Sequence, residues 1–386
     1  MNILYHHRTR AEDAQGIHIR ALCEAFRDLG HTVRVVGPVD PSRRQPTSAV
    51  TSPRGDGAHL FGFRMPHWLY ELLAIGYNVP DTLALLYHVL RYRPQLVYER
   101  YALFSISGRV VSALFGIPFV LEVNAPLSLE LQEHGGLVFR RLAQRVEDWS
   151  CRHATRTVVV SSAMAEIFIE RGVPRDRLMV VPNGVDRRHF HPQVDGKPVR
   201  HRLRLDDRLT VGFVGWVRPW HGVGKLIEAV ALLPDLAEEV AVVIVGDGPA
   251  LPELKEQART LGVADRVTFT GGVPQSEVPA FLAAMDVAVQ PDVTAYASPI
   301  KLFEYLAMGK TIIAPRRPNI EEVVADGRQA LLFTPGEARE LAATIRRLHR
   351  SPELRRELAA AALELFEERK YYWEANARRV LRAVGR

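Results

Sequence analysis

The stretch of sequence that decides the fold is "LTVGFVGWVRPWHGVGKLIEAVALLP", residues 209–234. It opens with an apolar, β-branched run typical of a strand, crosses a loop that contains glycines, and enters a pattern typical of an amphipathic helix. A second apolar run, "VAVVIVGDG" at residues 240–248, follows. Strand, helix and strand in this order predict two parallel strands joined by a crossover helix.

The same alternation recurs along the whole chain, in two batches. The runs in the first batch are "NILYHH", "HTVRVV", "QLVYE", "PFVLEV" and "RTVVVSS", and the second continues with "RVTFTGG", "DVAVQP", "TIIAP" and "ALLF". Strands that alternate with helices form parallel sheets covered on both faces, and such sheets bind ligands at the carboxyl ends of their strands. The sequence therefore predicts an α/β protein of two doubly wound domains that face each other across a central cleft.

Turn signals and charge place the domain boundaries. Asn183-Gly184 is a strong turn signal, and a charged stretch follows it. We expect a first domain over residues 1–187 and a second over residues 188–369. Residues 370–386 contain "YYWEANARRVLRAV", which predicts an amphipathic helix that returns to the first domain.

Composition excludes several classes of protein. The 386 residues are 47% hydrophobic and 24% charged, with a net charge of +6, which is ordinary for a globular protein with an anionic partner. Two cysteines outside any CxxC spacing argue against a disulfide scaffold or a structural zinc site. The chain carries no signal-peptide pattern, and its longest apolar run is broken by Pro118, so we expect a soluble, cytoplasmic protein. A nucleic-acid-binding motif is absent from the sequence.

The segment "ASPIKLFEYLAMGKTIIAP", residues 297–315, has two opposed charges where a helix begins. Ser298 suits the N-cap and Pro299 the first helical position, which leaves free amide groups for an anion. Lys301 would add a cation for a diphosphate, and the carboxylate of Glu304 suits the two hydroxyls of a ribose. The alternative is a surface ion pair three residues apart on the helix.

Glycines follow several of the predicted strands. Gly215 opens the loop that contains Arg218 and His221, where Arg218 would bind phosphate and His221 would either donate to phosphate or be a neutral structural histidine. Gly246 ends the next strand, and the Gly271-Gly272 pair leaves backbone groups open to a flat base. The first domain offers a weaker counterpart in Gly16, which is predicted to lie in the loop before its helix. Each of these glycines also fits an ordinary tight turn.

Taken together, these segments resemble the retaining glycosyltransferases of family four, which have the GT-B fold. The resemblance covers nearly the whole chain and rests on the order of "GIHIRALCEAFRDLGHTVRVV", "VVVSSAMAEIFIERGVPRDRLMVVPNGVDRRHF", "VGDGPALPEL", "RVTFTGGVPQSEVPAFLAAMDVAVQP" and "SPIKLFEYLAMGKTIIAP". It implies an enzyme that moves a sugar from a nucleoside diphosphate to an acceptor with retention of configuration. UDP is the expected carrier and GDP the alternative.

The resemblance also assigns residues. Glu304 matches the ribose-binding glutamate, Val273 the position that contacts the base, and Gly16 the first-domain loop that faces the phosphates. The expected donor-binding residues are Gly16, Gly215, His221, Gly246, Val273, Ser298, Pro299, Ile300 and Glu304. The expected catalytic residues are Arg218, Lys301, Asn124 and Glu122.

Four positions depart from the family pattern. A Gly-Arg-x4-Lys-Gly spacing usually presents its cations to the diphosphate, but here it falls on Trp216 and His221. The family's other glutamate falls on Tyr296, and a first-domain histidine falls on Asn124. Arg218 and Lys301 are therefore expected to supply the missing charge, and Glu122 or Glu130 to face the acceptor or the reacting sugar.

Without a D-x-D pair in the chain, we expect neither a metal nor another cofactor. The expected acceptor is a glycan or a lipid-linked molecule of cell-surface polysaccharide or glycolipid synthesis. The rival hypothesis is an inactive nucleotide-sugar-binding partner subunit; a sugar-nucleotide epimerase is disfavoured.

Two segments are compatible with peripheral contact with the inner face of a membrane. The stretch around Trp68 predicts a buried helix, with an acceptor wall or a membrane contact as alternatives. Arg140, Arg141 and Arg145 lie on a basic amphipathic helix that suits either anionic lipid or solvent.

Overall fold

The computed structural model describes residues 1–9, 14–40, 59–60, 63–64, 66–133, 136–205 and 207–385. The chain divides into two compact units. Among the described residues, the first comprises those of 1–40, 59–182 and 373–385, and the second comprises those of 183–372. The main part of the first unit thus ends at Pro182, whereas the sequence suggested residue 187. The C-terminal segment that belongs to this unit begins at Trp373 rather than at residue 370.

The first unit is built on a six-stranded parallel sheet with the order β2-β1-β5-β6-β7-β8, and a short antiparallel hairpin, β3-β4, is separate from it. Its strands are β1 (Asn2–His6), β2 (Thr32–Val36), β3 (His59–Leu60), β4 (Phe63–Arg64), β5 (Leu96–Arg100), β6 (Phe119–Val123), β7 (Arg156–Val159) and β8 (Leu178–Val180). Its helices are α1 (Ala14–Asp28), α2 (His67–Gly76), α3 (Asn78–Tyr92), α4 (Ser107–Phe115), α5 (Leu127–Glu133), α6 (Arg140–His153) and α7 (Ser162–Glu170), with a 3₁₀ turn at Arg175–Arg177.

The second unit repeats this plan with the strand order β11-β10-β9-β12-β13-β14, again all parallel. Its strands are β9 (Leu209–Val214), β10 (Val240–Val245), β11 (Val267–Gly271), β12 (Val287–Val289), β13 (Thr311–Pro315) and β14 (Leu331–Phe333). Its helices are α8 (Lys197–Arg202), α9 (Val223–Ala231), α10 (Leu251–Thr260), α11 (Val278–Ala284), α12 (Ile300–Ala307), α13 (Pro318–Glu321), α14 (Ala338–Arg350) and α15 (Pro352–Arg369), with 3₁₀ turns at Pro219–His221 and Pro234–Leu236.

Strand β10 shows why these apolar runs form a central strand. Alternate side chains along a strand point to opposite faces of the sheet. Val243 and Val245 belong to one apolar cluster, whereas Val242 and Ile244 belong to a second cluster on the other face. Each of these four side chains is at most 1% exposed. The continuous apolar run predicted from the sequence is therefore required by burial on both faces.

The last helix, α16 (Trp373–Ala383), packs inside the first unit. Its Ala377, Val380 and Leu381 are buried in the same cluster as Ile19 and Phe26 of α1. Apolar residues at helical spacing thus explain both helices. Helix α1 ends at Asp28, and Gly30 beyond it has a φ of +83°, which is costly for other residues.

Helix α2 corrects one expectation. The stretch around Trp68 was predicted to be a buried helix, but Trp68 is 50% exposed and Tyr70 is 51% exposed. The prediction covered residues 59–73, of which residues 59–65 lie outside the part of the chain whose side chains are described. Among the helices of the described residues, none is long and apolar enough to cross a bilayer.

Candidate functional site

Helix α12 begins one residue later than predicted, and its cap is different. The helix starts at Ile300, the N-cap position is taken by Pro299, and no side chain caps it. Ser298 is therefore not the capping residue. Its Oγ accepts a hydrogen bond from the main-chain N–H of Asn183 at 3.1 Å, and its carbonyl accepts one from the side-chain amide of Asn183. These bonds fix the loop that leads into α12.

The first turn of α12 is nevertheless open to an anion. The amide of Leu302 donates to the carbonyl of Pro299 at 3.0 Å. The amides of Ile300 and Lys301 have no main-chain acceptor among the described residues. A helix terminus with free N–H groups attracts negative charge, by about 0.3–1 kcal/mol at the surface and up to about 2 kcal/mol when partly buried.

Lys301 lies on this first turn, and Glu304 follows it three residues later on the same helix. The Nζ atom of Lys301 lies 5.0 Å from the centroid of the Phe213 ring, and the carboxylate of Glu304 belongs to a residue only 9% exposed. Neither side chain has a hydrogen bond or an ion pair to any residue that the structure describes. The alternative of a surface ion pair is therefore not observed: no ion pair joins these two described residues, Glu304 is buried and Lys301 is half-buried.

Burial perturbs the protonation of both groups. It lowers the pKa of Lys301 to about 8, an effect that the charge of Glu304 partly offsets. It also raises the pKa of Glu304 to about 7, against the opposing effect of Lys301. Such shifts identify groups that gain from a ligand of complementary charge, because the ligand would replace the water lost on burial.

The glycine after β9 leaves room for this lysine. Gly215 has a φ of +141°, and a Cβ atom added to it would come within 2.9 Å of the Cε atom of Lys301. Gly246, with a φ of +132°, would place a Cβ atom 2.0 Å from the carbonyl oxygen of Gly215. The N–H of Gly215 donates to Val245, and that of Gly246 donates to Gly271. These contacts join the carboxyl ends of β9, β10 and β11, and they require glycine at both positions.

The loop after β9 brings Arg218 and His221 near the same lysine. Burial, Lys301 and Arg218 lower the pKa of His221 to about 3, so its imidazole is neutral at physiological pH. Its Nδ1 atom is buried without a hydrogen-bond partner among the described residues. Of the two alternatives drawn from the sequence, this lowered pKa favours the neutral histidine. The guanidinium of Arg218 stacks at 4.9 Å from the ring centroid of Trp220.

Val273 lies just beyond the carboxyl end of β11. It is half-buried and packs against an apolar cluster of the second unit. Gly271, which ends the strand, has a φ of +70°. The carboxyl ends of β9, β10 and β11 thus present Gly215, Gly246 and Gly271 at one edge of the sheet, as predicted from parallel strands.

In the first unit, Glu122 does not have the exposed position expected of a catalytic carboxylate. It is 2% exposed, and it accepts hydrogen bonds from Tyr98 and Arg100, each at 2.7 Å, and from the side-chain amide of Asn124. The Nδ1 atom of His18 lies 3.1 Å away. Although burial opposes ionisation, His18 and Arg100 hold the pKa of Glu122 well below its usual range. It is a fully paired structural anion, and Asn124 is one of its partners.

Gly16 also lies elsewhere than predicted. It belongs to the first turn of α1, at a buried position, rather than to the loop that precedes the helix. The prediction placed the start of the helix too late, because a glycine was interpreted as a loop residue. Glu130, the other first-domain carboxylate considered, lies in the first turn of α5.

A buried polar network at the end of β1 was missed from the sequence. His6 is bonded to Glu99 at 2.7 Å and to Asp81 at 3.1 Å, and Arg8 donates to the other oxygen of Asp81. Although burial opposes it, the two carboxylates raise the pKa of His6 to about 9. His7 is fully buried, and neither ring nitrogen has a partner among the described residues. A histidine pair that ends a strand was the available signal, but its partners are distant in sequence.

Over the described ranges, no group of three or more His, Cys, Asp or Glu side chains could hold a metal ion.

Comparison with known proteins shows the family of the chain. The family model "Glycosyl transferases group 1" matches residues 198–365, and the model "Glycosyl transferase 4-like domain" matches residues 14–184. The MMP alpha-(1->4)-mannosyltransferase of Mycolicibacterium hassiacum is 30% identical over 377 residues, which cover 89% of this chain and 87% of that protein.

Two further similarities are informative. The alpha-D-kanosaminyltransferase of Streptomyces kanamyceticus is 27% identical over 66% of this chain, and the alignment spans about two thirds (67%) of that relative's length. The structure of HepE from Anabaena in complex with UDP matches with a TM-score of 0.77 at 19% identity, and the match covers all of both chains. This likeness shows the GT-B fold. The chain belongs to the group 1 glycosyltransferases, enzymes that transfer a sugar from a nucleotide-sugar donor to an acceptor.

Proposed function

We propose that this enzyme transfers a sugar from a UDP-linked donor to an acceptor with retention of configuration and without a metal ion. The observation that carries the proposal is the start of α12, where two free amides and Lys301 are followed at the next turn by Glu304, and both side chains have pKa values shifted by burial. The uracil base is supported by the UDP complex of HepE, and a guanine donor is the alternative.

The diphosphate of the donor would bind at the free amides and Lys301. One helix terminus contributes about 2 kcal/mol at most, which is little for a diphosphate. A charge-assisted hydrogen bond from Lys301 adds about 1.5–3 kcal/mol. Arg218 supplies a second cation in place of the family's usual pair, whose positions hold Trp216 and the neutral His221. In this chain, Lys301 and Arg218 would therefore supply the positive charge that the usual cation pair supplies in the family.

The nucleoside would be bound by Glu304 and by the end of β11. A carboxylate accepts hydrogen bonds from both ribose hydroxyls, and the ligand would restore solvation that Glu304 lost on burial. Val273 and the main chain next to Gly271 would contact the base. Because Tyr296 replaces the family's second glutamate, contacts to the donor sugar are expected to come from other groups.

The chemistry requires the bond between the sugar C1 and the diphosphate to break as positive charge develops on the sugar. Donors aimed at the departing phosphate stabilise this transition state. Lys301, Arg218 and the amides of α12 would supply these donors without a metal. With retention, the acceptor oxygen bonds to the face of the sugar that the diphosphate leaves. Glu122 and Asn124 belong to a buried network of the first unit, and we assign them no step in this transfer.

An exposed apolar surface on the first unit supports a lipid-linked or glycan acceptor at the cytoplasmic face of a membrane. Helix α3 leaves Leu83, Tyr87 and Leu90 between 62% and 65% exposed, and Trp68 of α2 is half exposed. On α6, Arg140, Arg141 and Arg145 are exposed. Apolar and basic side chains together suit an anionic lipid surface, and we place the enzyme in cell-surface polysaccharide or glycolipid synthesis.

The test is hydrolysis of nucleotide sugars by the purified chain without an acceptor. We expect slow release of UDP from one UDP-sugar, equally with and without EDTA, and a freed sugar whose first-formed anomer has the configuration of the donor by NMR. No hydrolysis of any UDP- or GDP-sugar would favour the inactive partner subunit. An inverted anomer would contradict retention, and loss of hydrolysis in EDTA would contradict metal independence.

A further inference from the structure

We propose that the first unit contains a binding site for a phosphate group, distinct from the donor site, in a cavity of about 360 Å³. Its lining includes Arg109, Arg152 and Arg177 together with Ser112 and Phe119. The chemistry recognised is a phosphate monoester, carried either by a small soluble molecule or by a lipid headgroup.

The cavity lies at the edge of the sheet opposite to the carboxyl ends of the strands. Phe119 is the first residue of β6, Thr155 immediately precedes β7, and Arg177 immediately precedes β8. Arg109 and Ser112 lie three residues apart on α4, so they share a face of that helix. The amino ends of three strands and one helix face therefore build this cavity, and the donor residues belong to the other unit.

Two polar groups at the cavity have no partner among the residues described. Ser112 is 2% exposed, and its Oγ atom makes no hydrogen bond. The Nε atom of Arg109 is also buried without an acceptor. Leaving such groups unpaired costs about 1–3 kcal/mol each, more for a charged group. A ligand oxygen that accepted both hydrogen bonds would remove this cost.

The other two arginines are fixed by neutral acceptors. Arg152 donates from Nε to the carbonyl of Gly172 at 3.1 Å and from Nη2 to that of Arg171 at 2.7 Å. Arg177 donates to the carbonyl of Ala154 at 3.4 Å. Carbonyls orient these guanidinium groups but do not cancel their charge.

The balance of charge selects a dianion. Three guanidinium groups line the cavity, and no carboxylate does. Asp148, whose pKa is lowered in part by the charge of Arg152 although burial raises it overall, is not part of the lining. Guanidinium groups match the oxygens of a phosphate as paired donors. The volume exceeds that of a phosphate ion alone and falls within the range of small-molecule sites, and Ala113, Ile117 and Phe119 provide an apolar wall.

The test is calorimetric titration of the full chain with inorganic phosphate. Arg109→Gln and Arg177→Gln each remove one cation from the cavity, Arg91→Gln removes a matched exposed charge from α3, and Lys301→Met removes the donor-site lysine. We expect the Kd for phosphate to rise at least about tenfold in both cavity variants, as for a lost charge-assisted hydrogen bond. It should stay within about twofold of wild type in Arg91→Gln, and Lys301→Met should retain the phosphate binding that the two cavity variants lose.

A vesicle sedimentation assay distinguishes the two sources of the phosphate group, a lipid headgroup and a small soluble molecule. Phosphatidylcholine vesicles with and without phosphatidic acid are sedimented with wild type and Arg109→Gln. A lipid headgroup is assigned if phosphatidic acid vesicles bind only when Arg109 is present and free phosphate binds weakly. A soluble phosphate is assigned if free phosphate binds only when Arg109 is present and the vesicles bind weakly. The proposal is overturned if Arg109→Gln and Arg177→Gln bind both probes as Arg91→Gln does, if neither probe binds, or if only Lys301→Met abolishes phosphate binding. The last outcome would instead place the phosphate at the donor site.

Discussion

Lys301→Met is expected to lower the turnover of the transferase by about 100- to 1000-fold. Lys301 is the half-buried cation on the first turn of α12, next to the free amides that would receive the donor diphosphate. Loss of one donor to a developing anion typically costs two to three orders of magnitude in turnover. Methionine retains most of the length and packing of the side chain, so the change removes chiefly the charge.

Stability should separate this effect from misfolding. The folded-state pKa of Lys301, about 8, lies below its ordinary value of 10.5. Its charged form is therefore unfavourable in the folded protein at pH 7, and the resulting cost to stability disappears only as the pH rises through this interval. Replacing it with methionine removes that cost, so we expect the thermal transition of the second unit to stay unchanged or to rise.

Lys255→Met is the matched control, because Lys255 also lies over an aromatic ring, that of Phe269, at 6.0 Å, but on the exposed side of α10. We expect its turnover to remain within twofold of wild type. If Lys301→Met also stays within twofold, the lysine has no role in the transfer, and Arg218 would have to supply the charge alone.

Glu122→Ala is expected to lower the free energy of unfolding of the first unit by about 3–5 kcal/mol at pH 7. The substitution leaves Arg100, whose side chain is 12% exposed, and the buried hydroxyl of Tyr98 without their shared acceptor. Breaking a buried ion pair on one side costs this much because the remaining charge is left uncompensated. A carboxylate with a lowered pKa gives its full stabilisation well above its unfolded pKa, so pH 7 is the right condition.

Urea unfolding followed by a signal from the first unit would measure this loss. Glu166→Ala is the control, because the exposed pair between Glu166 and Arg175 should contribute less than about 1 kcal/mol. Equal losses from the two variants would contradict the structural role of Glu122 and would make a catalytic role worth testing again.

The sequence predicted the sheets well because burial on both faces leaves a local signal. A central strand such as β9 or β10 is covered on both faces, so its successive residues are mostly apolar. This pattern can be recognised without knowing which residues pack against the strand. Lys301 and Glu304 were also predictable, since charges stood out in a helix otherwise made of Leu, Phe and Ala.

Long-range partners account for the failures. Ser298 has the composition of an N-cap, but Asn183, 115 residues away in sequence, engages it. Glu122 is paired through Tyr98, Arg100 and His18 on other elements, which no local pattern reveals. For Trp68, an apolar helical pattern indicated burial, although the side chain is half exposed. In each case the sequence pattern indicated a local preference, but the tertiary environment determined the partners or the exposure of the side chain.

The measurement that tests the donor site most directly is thermal stability across UDP, GDP, ADP, dTDP and CMP, for wild type, Glu304→Ala and the exposed control Glu253→Ala. A ligand at a hundred times its Kd stabilises the unit that binds it by about 2.7 kcal/mol. We predict that UDP raises one transition in wild type and in Glu253→Ala, and that Glu304→Ala abolishes the shift. An unchanged shift in Glu304→Ala, or no shift with any nucleotide in wild type, would contradict a nucleotide site at the start of α12.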